Sequence, residues 1–93
     1  MSTAQHSIEK WRGKINAINR VLLAQLNARV RIARRIGAIK KKTGLAVSDE
    51  KREKAILTAM RALNKGPLDS AAVNRVFSVI IAETKRLEKR TVA

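Results

Sequence analysis

Arg29 and Lys40 stand eleven residues apart in a stretch that reads as one uninterrupted helix. At about 100° per residue they differ by only some 20° around its axis. Both cations therefore fall on one stripe, with Ala33 and Ile36 as a small apolar floor between them. Two fixed cations framing an apolar floor suit a compact ligand that carries more than one carboxylate. Arg12 lies well off that stripe, so if it serves the same site it does so most simply from a second copy of the chain. Asp49, Arg52 and Glu53 fall in the first turn of a following helix, where backbone N–H groups and the positive end of the dipole add to the local field. Near the end of a third helix, Thr84 and Glu88 are four residues apart and face the same way, one turn above Ile81.

Charge frames these residues. Lys10 to Lys42 holds eleven basic residues and no acid, and the net charge of the chain is +14. Such a balance calls for a polyanionic partner, either a nucleic acid or a small polycarboxylate. Aromatic residues make up only 2% of the sequence, too few for stacking on bases, and no helix-turn-helix spacing is present. A nucleic-acid reading also leaves Asp49, Glu53 and Glu88 without a role, so nucleic acid is the weaker alternative. Taken singly, each cluster has a plain reading. Arg29 and Lys40 could be a solvated helix face, Asp49 a helix cap, and Arg52 with Glu53 a surface ion pair. Thr84 and Glu88 could be an exposed last turn. Arg31, Arg34, Arg35, Lys41, Lys42, Lys85, Lys89 and Arg90 read mostly as solvated charge that steers an anion inward.

The chain has no cysteine and one histidine, His6, so it lacks both a thiolate metal site and a histidine cluster, and no metal is expected. The segment from Met1 to His6 has no apolar core of the signal-peptide kind, and no apolar run approaches a membrane span. These features point to a cytoplasmic protein with no membrane partner.

Three helices must position the site. Ile8, Trp11, Ile15, Ile18, Leu22, Leu26, Val30, Ala33 and Ile36 recur every three or four residues and predict a first helix over about Ser7–Lys42, capped by Ser7. Residues 1–7 are expected to be a frayed tail. Gly37 is placed to let a neighbouring helix or ligand approach, and Thr43-Gly44 ends the helix. Asp49 caps a second helix over about Glu50–Asn64, which Gly66-Pro67 terminates. Asp69 caps a third over about Ser70–Arg90, with Val73, Val76, Phe77, Ile80, Ile81 and Leu87 as its apolar stripe. The fold class is all-α, and residues 1–93 form a single domain.

A helix of roughly 35 residues is about 50 Å long. A compact chain of this size has a radius of gyration of only about 12 Å. The first helix must therefore overhang its own core while carrying apolar residues along its whole length. An interlocked two-fold homodimer would bury that overhang. A first helix broken at Gly13 or Gly37, in a monomeric bundle, is the alternative.

The ordered set of segments resembles the all-helical class of chorismate mutases over nearly the whole chain, from Trp11 to about Glu88. It comprises Arg12 followed by the I-x-x-I-x-x-x-L-L pattern from Ile15 to Leu23, Leu26-Asn27-Ala28-Arg29, and Ile36-Gly37-Ala38-Ile39-Lys40. Val47-Ser48-Asp49 with Arg52-Glu53 follows, then Val76-Phe77 and Ile80-Ile81 leading to Thr84 and Glu88. The resemblance implies rearrangement of chorismate, a dianion, to prephenate without cofactor, by restraint of the reactive conformer and stabilisation of charge on the ether oxygen. It implies that Arg29, with Arg12 from the other subunit, grips the carboxylates. Lys40 would reach a carboxylate and the ether oxygen. Glu53 and the backbone near Asp49 would hold the ring hydroxyl, Arg52 would order the site, and Thr84 would lie near a carboxylate. Ala33, Ile36, Ile56 and Ile81 would wall the pocket.

Three positions depart from the family pattern. Glu88 stands where many members have a glutamine that donates to the ether oxygen, so Glu88 must carry a proton to do the same. Asn19 replaces a frequent acid at a structural position. Lys85 replaces a common apolar residue beside the site, and either points outward or adds a cation to the pocket. Relatives on this scaffold act as isochorismate-pyruvate lyases or aminodeoxychorismate mutases. Asp49 together with Glu53 favours ordinary chorismate, and Glu88 leaves the amino substrate open.

Overall fold

The computed structural model describes residues 2–90 as three helices: α1 (Thr3–Thr43), α2 (Glu50–Leu63) and α3 (Ser70–Lys89). All-α architecture with a dominant first helix follows the sequence expectation. The start of α1 does not. The helix begins at Thr3 rather than after a frayed tail to residue 7, because Ser2 and Gln5 form a reciprocal capping box. The Ser2 hydroxyl accepts from the Gln5 N–H at 3.1 Å, and the Gln5 side chain accepts from the Ser2 N–H at 2.7 Å. Met1 lies outside the described residues.

α1 runs unbroken through Gly13 and Gly37, which removes the broken-helix alternative. It stops where Gly44 adopts a left-handed conformation, φ 74°, and its N–H donates to the Lys40 carbonyl. The Asp49 and Asp69 carboxylates cap α2 and α3, accepting from the Arg52 N–H at 2.9 Å and the Ala72 N–H at 2.7 Å. Asn64 ends α2 and pins the turn that follows, its side chain bonding Leu68 O at 2.6 Å and the Gly66 N–H at 3.0 Å.

α3 is the central element, packed against both α1 and α2. It is antiparallel to α2, since Arg61 bonds Asn74 at one end and Glu53 meets Lys85 at the other. The buried apolar core is small, and among the described residues it consists of Val73 and Ile81. Gly37 and Thr84 are buried where α1 meets α3.

Only the C-terminal part of α1 takes part in this packing. Residues 2–27 are exposed throughout, including Trp11 at 59% and Ile15 at 56%. The principal extents are 61 × 28 × 15 Å and the radius of gyration is 17.7 Å, well above the ~12 Å of a compact chain of this length. The accessible surface of 7468 Å² exceeds by about 2,000 Å² that of a globular monomer of the same mass. Among the described residues, no helix is long and apolar enough to cross a membrane.

Candidate active site

A cavity of about 280 Å³ opens where the C-terminal part of α1, the start of α2 and the end of α3 converge. From α1 it receives Arg29, Ala33, Ile36 and Lys40, the stripe that the eleven-residue spacing defined. From the α1–α2 connection and α2 come Asp49, Arg52, Glu53 and Ile56; from α3 come Ile81, Thr84 and Glu88. Every site residue singled out in the sequence therefore lines one cavity, except Arg12. That residue precedes Arg29 by seventeen positions, about 26 Å along a straight helix, too far for its side chain to reach the cavity of its own chain. It is exposed and paired with Glu9 at 2.7 Å.

The two cations of the stripe are held differently. Arg29 donates to the Thr84 hydroxyl at 2.6 Å, and that hydroxyl in turn donates to the Ile80 carbonyl at 2.7 Å. Thr84 is only 8% exposed, so its hydroxyl is a fixed anchor that aims the guanidinium. Lys40 donates to the Val47 carbonyl at 3.2 Å, which ties its ammonium to the loop before α2. It also stands 3.6 Å from Glu88 Oε1. That oxygen is buried and has no hydrogen-bond partner. A buried acceptor left unbonded is costly unless a ligand or a proton completes it, so this atom is a candidate contact for a ligand in the cavity.

Gly37 fixes where Glu88 stands. A Cβ at residue 37 would lie 2.7 Å from Glu88 Cγ and 3.2 Å from the Glu88 carbonyl oxygen. Only a hydrogen in that place lets α3 come close enough to deliver the carboxyl. Asp49 spends one carboxylate oxygen on the Arg52 N–H, so its side chain is committed to capping while its residue still borders the cavity. Arg52 lies exposed at the cavity's edge.

Of the two directions the sequence leaves open for Lys85, the structure has the one toward the pocket: it borders the cavity and places its ammonium 3.3 and 3.5 Å from the two Glu53 oxygens. Two contributors escape a reading of the sequence. Val47 acts through its backbone carbonyl, which no side-chain pattern reveals. Ile32 adds to the apolar wall, although it lies off the main stripe of α1. Four basic and three acidic side chains border the cavity, so with all of them ionised it carries a small positive excess, as an anionic ligand requires.

Comparison with known proteins gives this geometry a context. The family model described as chorismate mutase type II matches residues 11–89. The chain is 32% identical over 87 residues to the bifunctional chorismate mutase/prephenate dehydratase of Aquifex aeolicus, covering 89% of this chain and 24% of that protein. It is 38% identical over 78 residues to the bifunctional chorismate mutase/prephenate dehydratase of Neisseria gonorrhoeae, covering 84% of this chain and 21% of that protein. The chain thus spans about a quarter or less of the length of these curated relatives. Among solved structures, it is similar to chorismate mutase form II from Thermus thermophilus, with a TM-score of 0.90 and 30% identity over 94% of this chain and 99% of the other. Form I from the same organism gives a TM-score of 0.83 at 29% identity, over 84% of this chain and 98% of the other.

Proposed function

The chain belongs to the chorismate mutase type II family, and from that premise we propose that it converts chorismate to prephenate. The rearrangement is unimolecular. One ether C–O bond breaks as one C–C bond forms, and no atom is gained or lost. Negative charge grows on the ether oxygen in the transition state, so donors placed there before the reaction lower the barrier without reorganising. The observation that carries this reading is the pairing of the Lys40 ammonium with a buried, unbonded Glu88 oxygen at one end of a cavity whose other end holds the anchored Arg29.

In this reading Arg29 grips a substrate carboxylate and the Thr84 hydroxyl holds its fork in place. Lys40 spans a carboxylate and the ether oxygen. Glu88 donates to the same oxygen in its protonated form, because an ionised carboxylate would repel the developing charge. Glu53 accepts from the ring hydroxyl. Ala33, Ile36, Ile56 and Ile81 exclude water and press the ring and side chain into the folded, reactive conformer. The chemistry calls for no cofactor and no covalent intermediate.

The site is completed by a second copy of the chain. The exposed half of α1, with Trp11, Ile15, Ile18 and Leu22 unburied, crosses onto the partner and carries Arg12 to the partner's cavity. The roughly 2,000 Å² of excess surface per chain is of the size that an obligate homodimer buries.

Loss of chorismate absorbance with purified protein tests the reaction, with Lys40→Ala as control. Rapid loss with prephenate as product, abolished in the control, supports the proposal; no loss across pH 5–8 refutes it. Mixing Arg12→Ala and Lys40→Ala chains tests the shared site. Each variant alone is inactive, whereas random exchange puts both lesions into one site and restores the other, recovering about one quarter of wild-type activity. No recovery after confirmed exchange refutes the contribution of Arg12 across the interface.

A further inference from the structure

Lys85 and Glu53 form an ion pair that joins α3 to α2 on the wall of the cavity. The ammonium stands 3.3 and 3.5 Å from the two carboxylate oxygens, and both side chains are about 30% exposed (31% and 28%). The proposed mechanism gives Glu53 the ring hydroxyl but leaves Lys85 without a task. We propose that Lys85 is a specificity-determining residue that selects a ring hydroxyl over a ring amino group; the inference rests on the reading that Glu53 contacts the ring substituent.

The argument is electrostatic. A carboxylate has about four lone-pair sites. Lys85 takes up part of these sites and cancels the charge, while the remaining sites stay open to a neutral O–H donor. An amino group on the same ring carbon is protonated near neutral pH. Seated within hydrogen-bond distance of Glu53, that second ammonium would come within a few ångströms of the first. Two like charges in a partly desolvated wall repel, and the shared carboxylate cannot neutralise both. Without Lys85, Glu53 becomes a partly buried, uncompensated anion, for which an ammonium is the better guest. The lysine thus works by penalising the wrong substrate rather than by adding a contact to the right one.

Steady-state kinetics with chorismate and with 4-amino-4-deoxychorismate test this, using wild-type protein, Lys85→Met, Lys85→Gln and Lys85→Arg. Wild type should prefer chorismate in kcat/KM. Lys85→Met or Lys85→Gln should shift that preference toward the amino substrate by roughly tenfold or more, mostly through KM. Lys85→Arg, which keeps the charge, should retain the wild-type preference. A purely structural lysine would lower both activities together and leave their ratio fixed, and that result overturns the proposal. Two neutral variants are used so that misfolding of one leaves the other to decide. Glu53→Gln separates the premise from the inference. If it changes neither the KM for chorismate nor the ratio, Glu53 does not touch the ring substituent and the premise fails. If it changes them while neutral Lys85 variants do not, the premise stands and the role of Lys85 is refuted.

Discussion

Replacing Gly37 with alanine should damage catalysis far more than folding. The added Cβ would stand 2.7 Å from Glu88 Cγ and 3.2 Å from the Glu88 carbonyl oxygen. Ordinary carbon–carbon contact begins near 3.5 Å, so Glu88 must withdraw by about 0.8 Å. Rotation about χ1 frees the Cγ only by carrying the carboxyl out of its place, and the carbonyl contact asks α3 itself to give by a few tenths of an ångström. Overpacking of this kind costs about 1–3 kcal/mol, while exchanging a mid-helix glycine for alanine returns about 1 kcal/mol in helix propensity. The net loss of stability is then about 0–2 kcal/mol, a modest fall in Tm. Displacing a reacting group by about 1 Å costs on the order of 100-fold in rate. The assay is kcat for chorismate alongside a thermal melt, with Gly13→Ala as the control. Gly13 has nothing within 4 Å and lies opposite the apolar stripe, so alanine there should raise stability by up to about 1 kcal/mol and leave kcat unchanged. A Gly37→Ala protein whose kcat stays within twofold of wild type would refute the idea that this glycine sets the position of Glu88.

Other residues of the site make sharper or simpler predictions. Lys40→Ala should lower kcat by roughly 100-fold or more, as removal of a preorganised donor does elsewhere, and near-normal turnover would remove Lys40 from the mechanism. Glu88→Gln puts an uncharged amide donor in the same place and should keep kcat within a few-fold of wild type or raise it, whereas Glu88→Ala should lower kcat by roughly 100-fold, and near-normal turnover in the alanine variant would sink the assignment. Thr84→Ala should release the Arg29 guanidinium and raise KM about tenfold, whereas Thr84→Ser keeps the hydroxyl and should remain near wild type. Equal effects from the two substitutions would show that the methyl group, not the hydroxyl, matters.

Local signals carry most of the architecture. Asp49 and Asp69 announce two helix starts because capping acts within one turn, and the Arg29–Lys40 spacing predicts a shared stripe because a helix is rigid over eleven residues. The start of α1 is misplaced for the opposite reason. The Ser-x-x-Gln capping box at Ser2–Gln5 is written in the sequence, but no large apolar residue follows until Ile8, so a reading led by hydrophobic period begins too late. Contacts between distant segments are out of its reach. Arg29 meets Thr84 across 55 residues and Lys85 meets Glu53 across 32. The same type of lysine at position 85 could have pointed to solvent, and only the crossing of α2 and α3 decides its direction. Gly37 reads as a point of close approach, yet that its neighbour is Glu88 depends on how α1 and α3 cross.

The unsupported half of α1 has a kinetic consequence. A stretch of helix that touches nothing else in its own chain is marginal in water, and most of its persistence must come from being covered. In the proposed two-fold dimer its ordering is second order in chain concentration: every arm that docks requires an encounter, and every encounter settles two arms at once. Dilution should loosen the arms before it loosens the junction of α1, α2 and α3. Specific activity, cleavage by trypsin at the many lysines and arginines of the arm, and apparent Tm should all track protein concentration together.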